Sequence, residues 1–162
     1  METARTILRK PTATDYDEVL GLQRNEQSRR YLGGPIAKEG FPEKFEAILS
    51  AQPPEAYWVV RQKETNAFIG LVCLAKYHDQ IHYEVSYEFD PAFWGEGYGT
   101  EVVEKVIEYG FTVFCLEGIY AETQKRNFAS IRLLEKVGMQ FKNQIERFGE
   151  EQVVYTIKRP TT

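Results

Sequence analysis

Apolar residues recur along this chain at two spacings, and each spacing predicts a different element. Alternation by two is clearest over 82–89, where Tyr83, Val85, Tyr87 and Phe89 fall on one side and Glu84, Ser86 and Glu88 on the other. That is the pattern of a half-buried strand. Residues 57–62 and 68–77 are rich in β-formers and flank the turn Glu64-Thr65-Asn66, so the three runs predict an antiparallel meander. A shorter strand is expected at 6–9, ended by Pro11.

Helical spacing fills the rest. Thr14 is expected to cap a helix from Asp15 with Val19, Leu20 and Leu22 as its stripe. A second short helical segment is expected to end at Gly33-Gly34-Pro35. A third, over 42–51, packs Phe45, Ile48 and Leu49 and stops at Pro53-Pro54. Beyond the meander, Val103, Val106, Ile107, Gly110 and Phe114 form one face of a helix whose other face carries Glu101, Glu104, Lys105 and Glu108. A strand over 118–123, a helix over 127–137 with Gly138 as its stop, and strands over 139–147 and 152–158 joined at Gly149-Glu150-Glu151 complete the chain. The predicted fold is a mixed α/β one, with helices on both faces of the sheet. The step from the third meander strand through the long helix to the next strand should make one parallel pair by a right-handed crossover.

Composition narrows the class. At 162 residues a single domain over 1–162 is expected, and 43% hydrophobic with 27% charged residues is ordinary for a folded chain. A net charge of −4 supports no broad basic face, so nucleic acid is not an expected partner. Cys73 and Cys115 lie far apart without a CxxC, which suits reduced buried thiols better than a disulfide scaffold or zinc. The first residues lack a signal-peptide pattern, and the longest apolar run, 68–75, is short of the roughly 20 residues of a membrane span. A cytoplasmic protein with no membrane partner is expected. His78 and His82 bracket a turn but have no third ligand at suitable spacing, so no metal is expected either.

The chemistry concentrates in Trp94-Gly95-Glu96-Gly97-Tyr98-Gly99-Thr100, between a strand and a long helix. Glycines remove Cβ atoms, backbone N–H groups converge, and the helix dipole favours an anion. A tight turn that binds nothing is the competing reading. A Walker string is absent, and the dinucleotide fingerprint would need glycine where Thr100 stands.

The segment resembles the pyrophosphate loop of the GNAT N-acetyltransferases, Gln/Arg-x-x-Gly-x-Gly/Ala, with Trp94 in place of the Gln or Arg. Trp-Gly-x-Gly-Tyr-Ala-Thr-Glu is the corresponding string of the subgroup that acetylates ribosomal-protein N-termini. Further similar pieces are Leu8-Arg9 with Asp15, Phe68-Ile69-Gly70, and Asn127-Phe128-Ala129-Ser130 followed by Leu133 to Met139. The resemblance runs nearly the whole chain. It implies a mostly antiparallel sheet of about seven strands that splays between the fourth and fifth, with acetyl-CoA in the gap.

By that resemblance the main chain of Tyr87, Glu88 and Phe89 runs along pantetheine. The amides of Gly95, Glu96, Gly97, Tyr98, Gly99 and Thr100 hold the pyrophosphate, and Glu96 and Glu101 can turn outward. Asn127 caps its helix and contacts the cofactor, and Arg132 and Lys136 are candidates for the 3′-phosphate. The usual acid, a Tyr seven residues beyond Asn127, is here Leu134; Ser130 is the substitute. Glu84 is the first candidate base, with Glu88, Glu146 and water as alternatives. Tyr31, Phe41, Phe45, Tyr57 and Trp58 are candidates for the acceptor side or for the core. The implied function is acetyl-CoA-dependent transfer to a primary amine, a protein N-terminus or a small molecule, by direct attack and without metal. A non-catalytic acyl-CoA-binding sensor or regulatory module is the alternative that Leu134 favours. A homodimer is a family-level expectation.

Overall fold

The structure, a computed structural model, describes residues 1–161. Its centre is a seven-stranded sheet in the order β1-β2-β3-β4-β5-β7-β6. The strands are β1 (Thr6–Arg9), β2 (Ala56–Gln62), β3 (Phe68–Lys76), β4 (Tyr83–Phe89), β5 (Gly118–Gln124), β6 (Gln140–Arg147) and β7 (Glu150–Lys158). Every pairing is antiparallel except β4 with β5. The alternation read over the meander sets the faces. Trp58, Val60, Val72, Leu74 and Val85 enter one core, while Val59 and Leu71 enter the other.

The first core is roofed by α3 (Tyr98–Thr112), through Val102, Val103, Val106 and Ile107, and by α4 (Phe128–Lys136), through Leu134. The second packs against α1 (Tyr16–Gln23) and α2 (Phe41–Ser50), where Val19, Phe41, Phe45 and Ile48 are buried. Burying a side chain of this size contributes about 1.5–3 kcal/mol, so each amphipathic helix is held by its stripe rather than by propensity. The mixed sheet with helices on both faces agrees with the sequence reading.

Local details differ. The first helix begins at Tyr16, after a single 3-10 turn at Ala13–Asp15 that Thr12, not Thr14, caps. Asp15 carboxylate accepts from Arg9, from Arg61 and from the Thr12 N–H, which draws it out of a helix and into the sheet edge. The segment ending at Gly33-Gly34-Pro35 is a run of turns, not a helix. Asn25 Oδ1 accepts from Ser28 N–H at 2.9 Å, and the Arg29 guanidinium donates to the carbonyls of Leu32 and Gly34; such side-chain bonds compete with helix formation. Phe114 lies past the end of α3, and Glu150 belongs to β7, leaving Phe148-Gly149 as the two-residue turn.

Candidate active site

The sheet forks at its centre. On the β5 side, β4 pairs only at Glu84↔Tyr120, then runs on through Phe89 bonded to β3 alone, while β5 turns to β7. A cavity of about 710 Å³ fills the fork, bounded by Tyr87, Glu88 and Phe89 of β4, by Ala121 to Thr123 of β5, and by the loop that opens α3.

That loop is shaped by its glycines. Gly95 and Gly97 have φ of +77° and +84°, a region that costs a residue with a Cβ energy, and Gly97 is the N-cap of α3. Gly99 serves packing instead, since a Cβ there would stand 2.8 Å from Leu133 Cδ1 of α4. Among the described residues, no protein acceptor takes any main-chain N–H from Gly95 to Thr100. Orphan donors of this kind at a helix start attract anions. Gly95, Gly97, Tyr98, Gly99 and Thr100 line the cavity; Glu96 is exposed and does not. Glu101 does not turn to solvent. It accepts from Thr3 Oγ1 and from the Arg5 N–H and Nε–H, tying the N-terminal segment to α3, while the Arg5 guanidinium lies 4.1 Å from the Tyr98 ring centre. Trp94, at the family's Gln/Arg position, donates its indole N–H to the Phe89 carbonyl at 2.8 Å, pinning the loop to the end of β4.

The other wall is the start of α4. Asn127 Oδ1 accepts from the Ser130 N–H at 3.3 Å and caps the helix, and both residues line the cavity. Ser130 Oγ and Tyr87 Oη meet across the fork at 2.6 Å. Burial pushes the Tyr87 phenol up to about 12, although the hydrogen bond to Ser130 works the other way. Leu134 is 1% exposed and belongs to the core. Arg132 and Lys136 are exposed and border the cavity.

Carboxylates gather on the opposite face of the fork. Burial, with Glu122 close by, pushes Glu84 up to about 7, against the pull of Arg147. Glu122 accepts from Tyr77 Oη at 2.8 Å and Arg147 Nε at 2.9 Å, and His78 Nε2 stands 3.3 Å away. Glu88 forms a largely buried ion pair with Arg29, its second oxygen has no partner, and burial raises it overall despite that arginine. Glu84 does not border the cavity, and Glu146 is exposed on β6, away from it. Of the five candidate aromatics only Tyr31 borders the cavity. Phe41, Phe45 and Trp58 are core, and Tyr57 packs against the second core.

Three participants had no role in the sequence reading: the Tyr87 phenol, Glu122 and Arg29. Glu122 carried a usable signal, because alternation along β5 puts it on the Glu84 face. Arg29 had none, since it meets Glu88 across 59 positions. Cys73 is half-buried, and burial pushes its thiol up to about 12, while Cys115 is exposed, so the expected pair of buried thiols is not found. His82 pairs with Asp79, and among the described residues no three His, Cys, Asp or Glu side chains group to hold a metal. Nor is any described helix long and apolar enough to cross a membrane.

A forked mixed sheet with a row of free amides at its open end is the architecture of an acetyl-transferring enzyme. Residues 5–140 match the family model for the acetyltransferase (GNAT) domain, and the chain belongs to that family, whose members use acetyl-CoA. It is an enzyme of the N-acetyltransferase class. The uncharacterized N-acetyltransferase YoaA of Bacillus subtilis is 32% identical over 151 residues, covering 86% of this chain and 82% of that protein. The uncharacterized N-acetyltransferase YnaD of the same organism is 26% identical, covering 85% and 80%. Among solved structures, a GNAT-family acetyltransferase from Bacillus anthracis superposes with a TM-score of 0.85 at 23% identity, covering 98% of this chain and 97% of that one. The spermidine N-acetyltransferase of Vibrio cholerae, in complex with CoA and spermine, does so at 0.82 and 22%, covering 94% and 95%.

Proposed function

We propose that this chain, working as one cytoplasmic domain, transfers the acetyl group of acetyl-CoA to a primary amine by direct attack. The observation that carries the reading is the row of unpaired amides from Gly95 to Thr100 at the mouth of the fork. A pyrophosphate needs such donors, and the glycine conformations leave its approach clear. The free edge of β4 beyond Glu84 offers main-chain groups to pantetheine. Because Trp94 occupies the Phe89 carbonyl, Tyr87 supplies the acceptor there. Arg132 and Lys136 suit the 3′-phosphate.

In this reading Tyr87 and Ser130, which line the cavity, meet the departing sulfur, and Glu84, set back from the cavity, takes the amine's proton through water. The Trp-Gly-Glu-Gly-Tyr-Gly-Thr-Glu string supports kinship with the ribosomal-protein N-terminal subgroup. An α-amine, with a pKa of about 7.7–8.0, is neutral at pH 7 far more often than a lysine near 10.4. It is therefore the acceptor favoured for a base near 7. The test pairs calorimetry of CoA binding with thiol release against peptides having only the N-terminus or only a lysine free. Binding with turnover on the α-amine is expected. Binding without turnover on any amine would favour a sensor module, and no binding would refute the reading.

A further inference from the structure

We propose that Tyr87 is the acid of this site, donating its phenolic proton to the departing CoA sulfur, and that Ser130 is the residue that positions it. The inference rests on acetyl-CoA occupying the fork as proposed above. Tyr87 comes from the open edge of β4 and Ser130 from the first turn of α4, two elements on opposite sides of the cavity. Their oxygens, 2.6 Å apart, form a bridge between two of its walls. A thioester threaded through the fork must pass this bridge.

Chemistry chooses between the two oxygens. A phenol ionises near 10, whereas an aliphatic hydroxyl is not among the side chains that titrate in water. Of the pair, only Tyr87 can release a proton at modest cost. Its burial keeps it protonated at neutral pH, and the hydrogen bond from Ser130 favours the phenolate once formed. The tyrosine ring is braced by stacking on Phe89, with centroids 5.6 Å apart. Leu134, buried in the core beneath, offers no competing donor.

In the step, the amine's electron pair forms the C–N bond and the C–S bond breaks with its pair on sulfur. The sulfur takes the Tyr87 proton and leaves as CoA thiol. The Ser130 hydroxyl donates to the phenolate, which regains a proton from solvent; the amine's proton leaves through the base or water. Protons balance over the cycle.

The experiment compares Tyr87→Phe, Ser130→Ala and the double variant with the wild type, reading kcat by thiol release and acetyl-CoA affinity by calorimetry. Tyr87→Phe keeps the ring and its stacking. Its kcat should fall about 100-fold, the low end of what a general acid contributes, with affinity unchanged within about twofold. Ser130→Ala should lose about tenfold, and the double variant no more than Tyr87→Phe alone, because the two act as a unit. A solvent deuterium isotope effect on the wild-type kcat should vanish in Tyr87→Phe. Normal turnover by Tyr87→Phe, a larger loss in Ser130→Ala, or parallel losses of affinity and turnover would each overturn the proposal. A wild type that fails to bind acetyl-CoA is a separate result, and it would remove the reading underneath.

Discussion

Gly99 of α3 and Leu133 of α4 touch so closely that a Cβ on the glycine would lie 2.8 Å from Leu133 Cδ1, with Phe89 Cε2 at 3.3 Å. The helices on either side of the cavity are thus held together where one of them has no side chain. The clashing atom is the tip of a flexible leucine, and alanine gains about 1 kcal/mol of helix propensity over glycine. Gly99→Ala should therefore change stability by less than about 1 kcal/mol. Gly99→Leu should cost about 1–3 kcal/mol by overpacking and widen the fork. Urea denaturation measures both, and equal stabilities would show that the helices part freely.

Gly97 is needed for a different reason. Its φ of +84° sets the N-cap of α3, and a Cβ there would point toward Arg5 Nη2 at 3.4 Å. Obstruction of the anion is thus not the main penalty; backbone conformation is. Forcing an L-residue into this region costs about 1–2 kcal/mol, which the loop can relieve by turning its amides. Gly97→Val should weaken CoA binding at least tenfold while far-UV dichroism stays native. Unchanged affinity in calorimetry would dissociate the loop from the phosphates.

How much of this was legible in the sequence depended on the range of the interaction. The alternation over β4 is local, so the face bearing Glu84, Ser86 and Glu88 could be read from spacing alone, and the glycine segment announced its loop. Thr12 displaced Thr14 as the cap because Asp15 is held by Arg9 and by Arg61, which lies 46 positions away. The turns of 24–34 are stabilised by side-chain bonds that leave no periodic trace. The Tyr87–Ser130 bridge spans 43 positions and joins elements on opposite sides of the fork. In the sequence Ser130 stands out by its helix end and Tyr87 only by its main chain, so their meeting is visible only in the fold.

Asp15 should be a principal support of the sheet edge. Its side chain is 1% exposed, and it accepts from Arg9 at 2.6 and 2.8 Å, from the Thr12 N–H at 2.8 Å and from Arg61 at 3.2 Å. Burial alone would raise its pKa, but these donors outweigh it and hold the group at about 2. A depressed carboxylate stabilises the fold above the ordinary value near 3.9, and that contribution is lost as pH falls through about 2. Asp15→Ala leaves Arg9 and the Thr12 N–H without their acceptor, while Arg61 keeps Glu18, and should cost about 1.5–3 kcal/mol. The difference from wild type in urea midpoints should shrink between pH 5 and pH 2. A constant difference would mean that packing, not charge, does the holding.

Glu84 should behave in the opposite sense, and that makes it the sharper test of the fork. Burial and the charge of Glu122 raise it to about 7, against the attraction of Arg147. Tyr77 Oη and Arg147 Nε both donate to Glu122, and His78 Nε2 stands beside it. For a carboxyl group whose folded value lies above its unfolded one, the folded state binds the extra proton. Stability is then greatest below about pH 4.5 and is lost as pH rises through about 7. A shift of this size corresponds to roughly 3 kcal/mol at high pH. Glu84→Gln, which is neutral at every pH, should therefore match the wild type near pH 4 and exceed its stability at pH 8. If Glu84 is also the base, the wild-type rate should rise with pH through about 7, and the glutamine variant should lose both that limb and most of its turnover. A variant that gains stability at pH 8 but keeps the limb would leave Glu84 a tuned carboxylate beside the reaction and pass the base role to water.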